Sequence, residues 1–452
     1  MREGLVELLR CPRSGASLQL EAHERDGEEV EFGLLRGPAG DYPVVAGIPI
    51  FLDDPGDGVV AAVASGDHAS AAAFAVARGV PLSRLEPMVP ALLSLRPARP
   101  VGRWLAGVRD RSVTKRVGQA LAASALDPEP LLRLAHLESR SRNVEGYRYF
   151  RFRLGLPRHL VALGSVAACR PADGPVLEVG CGAGQMTWQL QRLLAPRAMI
   201  GVEREFHLLW SARHHIAPDA DLVCADATSL PLGERTCSLA IAVDVLSFVG
   251  GKAVAVRELR RVVDDDGGLV LTSLINGDAA HEFAGSPLPV AAWAALADGL
   301  PSVTLTDRTV LDSYLDGWCP PASADDVAAL EASRTVTLLA GRAALAGLGG
   351  ALGGWPHAVG RLGPHPLLVP VDPPAPGVRC WRRTSPSPGF DRDNADLDRY
   401  LPAELRLDAR VVAAARDGER PRALDSAVAT VAVLGHSERW PADPWSPELT
   451  ER

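Results

Sequence analysis

Residues 176–185 read VLEVGCGAGQ, with glycines at 180, 182 and 184 and an acid, Glu178, just ahead of them. An apolar run that enters a glycine turn and leaves it as a helix (QMTWQLQRLLA) is a nucleotide-binding arrangement. Glycine lets the backbone approach a ligand, and the helix start offers free N–H groups. The spacing here is G-x-G-x-G. A dinucleotide fingerprint counted from Gly180 needs glycine at 185, where Gln185 stands, so NAD and FAD are disfavoured; no Gly-Lys-Ser/Thr follows, which excludes a Walker loop. Further acids fall at the ends of the next apolar runs. AMIGVE ends in Glu203, 19 residues past Gly184, the spacing at which a carboxylate holds a ribose diol. LVCADATSLPL places Asp226 and Ala227 after a third run, and SLAIAVDVLSF places Asp244 after a fourth. Asp244 and Ser247 are candidates to line a ligand pocket, with a strand-end cap as the equal alternative for Asp244. His281 and Glu282 form the histidine–acid pair nearest that pocket, read either as acid–base catalysis or as a surface loop. His207, His214 and His215 follow Glu203 on a helix, where adjacent histidines point to different faces; they read as packing or solvent-facing residues rather than metal ligands.

These residues need a scaffold that lines up strand ends. Apolar runs at 176–180, 198–203, 221–225, 238–243, 268–274, 302–306 and 335–340 alternate with amphipathic helical stretches, which predicts a parallel sheet covered on both faces. Open sheets of this kind bind ligands at the carboxyl ends of their strands, where the acids fall. Residues 1–54 read as a small β-rich module, with EEVEFGLL and DYPVVAGIPIFL as strands around the turn RGPAGD. Residues 55–160 form a helical, proline-broken segment on the substrate side, 161–345 the α/β domain, and 346–452 a Gly- and Pro-rich extension with short strands at 378–383 and 428–434.

Region 175–341 resembles a class I S-adenosylmethionine-dependent methyltransferase domain. LEVGCGAG matches the first motif of that family, GVE the second, CADATSLPL the third, and RRVVDDDGGLVLTS the fifth-strand motif. The resemblance implies a Rossmann-like, doubly wound α/β sheet and S-adenosyl-L-methionine as cofactor. It also implies that Gly180, Gly182 and Gly184 contact the methionine part, that Glu178 supports the turn, that Glu203 holds the ribose hydroxyls, and that Asp226 and Ala227 contact the adenine. Methyl transfer from a sulfonium is an in-line displacement, so the protein mainly positions the acceptor and excludes water; a base is needed only if the nucleophile must lose a proton. The Asn/Asp-Pro-Pro-aromatic sequence of amino-methylating branches is replaced here by DVLSF, which disfavours adenine or glutamine-amide methylation.

Residues 1–52 resemble the Trm112-type zinc ribbon, through LLRCP and YPVVAGIPIFL. Ser14 stands where the first knuckle has its second cysteine, and no cysteine occurs between Cys11 and Cys169, so a four-ligand zinc site is not available. The module reads as a metal-free remnant packed on the catalytic domain. The seven cysteines include no CxxC pair, which fits a reducing cytosol. Arg342 breaks the most apolar stretch, 335–353, so no membrane span is expected. A formal net charge of -8 disfavours a nucleic-acid partner. The arginine- and aromatic-rich run LLRLAHLESRSRNVEGYRYFRFRLGLPRHL is accordingly read first as a lid, then as core, and last as an RNA-binding segment. The sequence therefore favours a cytoplasmic methyltransferase acting on a small molecule or peptide in specialised metabolism, with room for a protein partner. A tRNA- or rRNA-modifying enzyme and a non-catalytic cofactor-binding scaffold are the alternatives.

Overall fold

The computed structural model describes residues 1–52, 57–79, 100–101, 115–123, 131, 153–195, 197–279, 285–355, 358–440 and 443–445. In chain order the principal elements begin with α1 (Glu3–Leu8), β1 (Gln19–Asp26), β2 (Glu29–Gly37), β3 (Gly40–Val45), β4 (Ile48–Pro49), α2 (Asp57–Ser65) and α3 (His68–Gly79). Next come α4 (Pro157–Ala167), β5 (Val176–Val179), α5 (Gln185–Leu193), β6 (Met199–Glu203), α6 (Phe206–Ser211), β7 (Asp221–Cys224), β8 (Cys237–Val243) and α7 (Lys252–Val262). The series closes with β9 (Val263–Ile275), β10 (Ser302–Thr306), α8 (Asp307–Leu315), α9 (Val327–Ala332) and β11 (Thr335–Ala340). Two compact units result, one made of Met1–Phe150, Gly182–Gly184 and Val202–Gly233, the other of Arg151–Cys181, Gln185–Gly201 and Glu234–Arg452.

In the first unit, β1 to β4 form an antiparallel meander in sequence order. It buries Leu34, Leu35, Val44 and Val45, adjacent strand residues that cover both of its faces. Cys11 is buried, and its Sγ lies 3.1 Å from the Tyr42 hydroxyl, so the solitary knuckle cysteine is a packed core residue. The meander is tied to the strand that precedes Asp226. Ile50 bridges Cys224 in parallel, and the Phe51 amide donates to the Cys224 carbonyl at 2.7 Å. Arg213 pairs with Glu29 and Glu31, and Arg2 with Asp221.

In the second unit the strand order is β10-β11-β9-β8-β5-β6. β5 pairs with β8, and β8 with β9, in parallel, the Rossmann-like arrangement. β5 and β8 are buried along their whole length, which explains why their sequences are apolar apart from Glu178 and Ser238. The expectation of a wholly parallel sheet needs correction, because β11 runs antiparallel to both β9 and β10. The reason is geometric. Two helices, α8 and α9, separate β10 from β11, so the chain has crossed twice and re-enters at the edge where β10 ended. Helix α4 packs on β8, β9 and α8, and α7 on β9.

Beyond residue 345 the chain forms a small β structure within the same unit. Arg361–Pro364 pairs with Val433–His436, and Val378–Arg383 lies between Leu368–Val371 and Glu404–Asp408. The strand expected at 378–383 is present. The one expected at 428–434 is not continuous: Asp425–Ala429 is helical, and Val431 takes φ 55°, which separates that helix from the strand. The extension is seated on α4 and α5. The Tyr400 hydroxyl donates to the Gly155 carbonyl at 2.6 Å, and Arg192 of α5 pairs with Glu438 at 2.6 Å. Among the described residues no helix is long and apolar enough to cross a membrane.

Candidate functional site

The glycine turn is left-handed at all three glycines: φ is 74° at Gly180, 55° at Gly182 and 83° at Gly184. Side-chain-bearing residues rarely adopt this conformation. Space is denied as well. A Cβ on Gly180 would lie 2.7 Å from Val245 Cβ, and one on Gly184 would lie 2.9 Å from Ala212 Cβ. The turn is therefore cleared in part for the protein's own packing. Ala212 opens a π-helical turn, Ala212–Ile216, the kind of irregularity that concentrates near functional sites. Just before the turn, Glu178 is buried and accepts from the Thr187 hydroxyl of α5 at 2.5 Å.

Glu203 ends β6 with a carboxylate already engaged by the backbone. Its Oε2 accepts from the Gly182 amide at 3.1 Å, and its Oε1 from the Arg204 and Glu205 amides at 2.7 and 3.1 Å. One side chain thus fixes the glycine turn against the end of the second strand of the α/β domain. A carboxylate has about four lone-pair sites, so acceptor capacity is left for a ligand. Asp226 accepts from the amide and the hydroxyl of Thr228 at 2.9 and 2.6 Å and faces Arg204 at 3.6 Å. Burial alone would raise the Asp226 carboxyl; the Thr228 bonds and the Arg204 charge outweigh it and hold the group below the usual carboxylate range. Ala227 follows in the same turn.

A cleft of about 290 Å³ opens at the carboxyl ends of β8 and β9. Pro157, Val161, Phe248, Ile275 and Leu311 give it an apolar wall, and Arg158, Asp244, Ser273 and Asp307 a polar one. Arg158 of α4 pairs with Asp244 at 2.6 Å. Asp244 has φ 56° and Ser273 φ 55°. Residues with side chains hold this conformation at a cost of about 1–3 kcal/mol each, and such strain gathers at ligand-contacting positions. The two strand ends are neighbours, since the Asp244 amide donates to the Thr272 carbonyl at 3.1 Å. Asp307, the first residue of α8, accepts from Ser273 Oγ at 2.9 Å and from Thr337 Oγ1 at 2.7 Å. Desolvation pushes its carboxyl above the usual range, against the opposing pull of its hydroxyl partners and of Arg158. Phe248 is 52 % exposed, unusual for a large apolar side chain, and lines the same cleft.

Of the residues singled out from sequence, Asp244 lines this cleft, and Ser247 is buried with its hydroxyl accepting from the Ile275 amide at 3.0 Å. His281 and Glu282 lie outside the described residues, as does most of the arginine- and aromatic-rich run. His207 and His215 are buried, and His214 stacks on Trp210 at 4.2 Å. Among the described residues no group of three or more His, Cys, Asp or Glu side chains could hold a metal ion. Arg158, Ser273 and Asp307 had no local signal. Only the capped helix start TDRT, in which the Thr306 hydroxyl accepts from the Thr309 amide at 3.0 Å, hinted that Asp307 stands at a strand-to-helix junction.

Residues 177–271 match the family model described as a methyltransferase domain. A malonyl-[acyl-carrier protein] O-methyltransferase of Marinomonas sp. (strain MWYL1) is 30% identical over 104 residues, which are 23% of this chain and 38% of that relative. The match thus spans well under half of the relative's length. Solved structures that align include an S-adenosylmethionine-dependent methyltransferase of Thermotoga maritima, at 18% identity, TM-score 0.32, 44% of this chain and 96% of that one. Another is a methyltransferase in complex with the Haloferax volcanii Trm112 activator, at 14% identity, TM-score 0.32, 45% of this chain and 97% of that one. The segment 177–271 is a methyltransferase domain, and S-adenosylmethionine is the cofactor such a domain uses.

Proposed function

We propose that this chain, built around the methyltransferase domain of residues 177–271, transfers a methyl group from S-adenosylmethionine to a small molecule or peptide side chain held in the cleft at the ends of β8 and β9. The observation that carries the reading is the family match, whose first motif is the left-handed Gly180–Gly184 turn anchored through the Gly182 amide to Glu203. These features suit the cofactor. The turn admits no side chain, and Glu203, with three of about four lone-pair sites taken, keeps acceptor capacity for a ribose hydroxyl. In this reading Gly180, Gly182 and Gly184 hold the methionine part, with Glu178 bracing the turn through Thr187. Glu203 takes the ribose hydroxyls, and Asp226 and Ala227 the adenine.

S-adenosylmethionine, when bound, supplies an already activated methyl group. The protein's part is then to bind, orient and shelter the acceptor. The apolar wall of the cleft excludes water from the acceptor body, and the Arg158–Asp244 pair and the Ser273 hydroxyl orient its polar end. The name of the Marinomonas relative, an O-methyltransferase, favours an oxygen nucleophile. The test uses purified protein and methyl-labelled S-adenosylmethionine in an extract of small metabolites, protein and RNA, fractionated after reaction. Label in the low-mass or peptide fraction is expected. Label in the RNA fraction would replace the acceptor class, and failure to bind S-adenosylhomocysteine in a calorimeter would remove the function itself.

A further inference from the structure

Asp307 stands apart from the other acids of the cleft. Asp244, Asp393 and Asp396 each face an arginine, at 2.6, 3.2 and 2.6 Å. Among the described residues Asp307 has hydroxyl partners, Ser273 and Thr337, and no ion-pair partner. Ser273 spends its single proton on Asp307 Oδ2, which leaves its oxygen lone pairs for a group in the cleft. Its left-handed backbone, at the end of a strand whose neighbours are extended, re-aims a side chain that ordinary strand geometry would send elsewhere.

We infer that Ser273 and Asp307 form a proton-accepting pair for the acceptor, so that the substrate class of this cleft is an apolar-bodied molecule with a hydroxyl to be methylated. The inference rests on the methyltransferase reading above. The acceptor hydroxyl donates to Ser273 Oγ. As the oxygen–methyl bond forms and the methyl–sulfur bond breaks, the acceptor proton passes to Ser273 Oγ, and the Ser273 proton passes to Asp307 Oδ2. The sulfonium ends as a neutral thioether, the carboxylate as a neutral acid and the acceptor as a neutral ether, so charge and protons balance without a further reactant. A carboxylate acceptor carries no proton to lose and would leave the pair without work.

The groups facing Asp307 are Ser273 from β9, Thr335 and Thr337 from β11, and Arg158 from α4, itself paired with Asp244 at the end of β8. Arg308 follows on the same helix, and Arg334, Arg392, Asp393 and Asp396 also line the cleft, with Arg308 and Arg334 paired to Asp396 and Asp393. The working form is the carboxylate, and burial raises the carboxyl. Activity therefore rises with pH through a midpoint above the ordinary aspartate value and is flat beyond it.

Two measurements on the full chain with S-adenosylhomocysteine bound test the pair without requiring turnover. Infrared difference spectra between acid and neutral pH should show a protonated-carboxyl band that titrates above about pH 4 in the parent protein and is missing in Asp307→Asn. Fluorine NMR should show para-fluorophenol binding more tightly than para-fluorobenzoate, with Ser273→Ala weakening the phenol about fivefold. Once a hydroxyl acceptor is in hand, Asp307→Asn should lower kcat about 100-fold or more at little change in KM. A carboxyl band titrating in the ordinary range, or phenol binding indifferent to Ser273→Ala, overturns the inference. Loss of S-adenosylhomocysteine binding by the parent protein instead overturns the methyltransferase reading. If Asp307→Asn does not fold, Ser273→Ala and the parent spectra still decide.

Discussion

Removal of the Glu203 carboxylate separates a structural role from a ligand role in one residue. Glu203→Ala deletes the acceptor of three backbone amides, those of Gly182, Arg204 and Glu205. A hydrogen bond to a charged group contributes about 1.5–3 kcal/mol when sheltered, but water replaces much of that near the surface, where the Arg204 bond lies. A total loss of about 1–3 kcal/mol follows, a fall in Tm of roughly 2–10 °C. Ribose hydroxyls bonded to the same carboxylate would be lost as well. A 10- to 100-fold weaker cofactor complex, about 1.4–2.8 kcal/mol, is the expected outcome after the same allowance for solvent. The assay pairs ligand-free melting with calorimetric titration of S-adenosylhomocysteine, for Glu203→Ala and for the length-preserving Glu203→Gln. The glutamine variant should fall between the parent and alanine in both. An unchanged Tm in Glu203→Ala would refute the anchoring of the turn by the three amides. A lowered Tm with unchanged affinity would refute the ribose role and leave Glu203 purely structural.

Gly180→Ala should destabilise through a left-handed alanine, about 1–2 kcal/mol, and through contact with Val245; in urea unfolding, adding Val245→Ala should recover the contact part alone, and strictly additive effects would count against the packing argument. His159 and His365 are buried and His436 is half-buried, and desolvation lowers them to about 4, 3 and 4 from the usual 6.5. Native protein therefore stays unprotonated at these rings while the unfolded chain takes up protons, so stability is whole above about pH 6.5 and is lost as pH falls toward 4, by about 1.4 kcal/mol per pH unit for each ring. Urea midpoints that stay flat between pH 7.5 and 5 would contradict this. Asp226→Asn keeps an acceptor for Thr228 and should weaken S-adenosylhomocysteine by only about 1 kcal/mol; a loss matching that of Glu203→Ala in the same calorimetric series would reverse their ranking. Elemental analysis should find no stoichiometric zinc, because Cys11 is spent on Tyr42; one zinc per chain that disappears in Cys11→Ala would show the module to be a working ribbon.

The central strands of the α/β domain could be read in advance because they are buried on both faces and therefore largely apolar, as in β5 and β8. Chain direction could not be read that way: β11 has the same apolar signature whichever way it runs, and only the count of intervening helices reverses it. Local periodicity also missed the break at Val431, a residue type that favours strands but here takes a left-handed backbone. The strand-end acids were legible from spacing alone. The cleft was not, because Arg158 and Asp244 are 86 residues apart, and Ser273 and Asp307 are 34 apart. A pair of that kind exists only once the sheet has assembled.

The bridge between Ile50 and Cys224 has a consequence for mass action. A module supplied as a separate chain leaves its partner on dilution, so the assembled fraction would track protein concentration. Here the strand that carries Cys224 meets a segment of its own polypeptide, so the encounter is intramolecular and its effective concentration does not fall on dilution. The β-rich module stays seated in the nanomolar range of an enzyme assay, and its release requires local unfolding rather than dissociation.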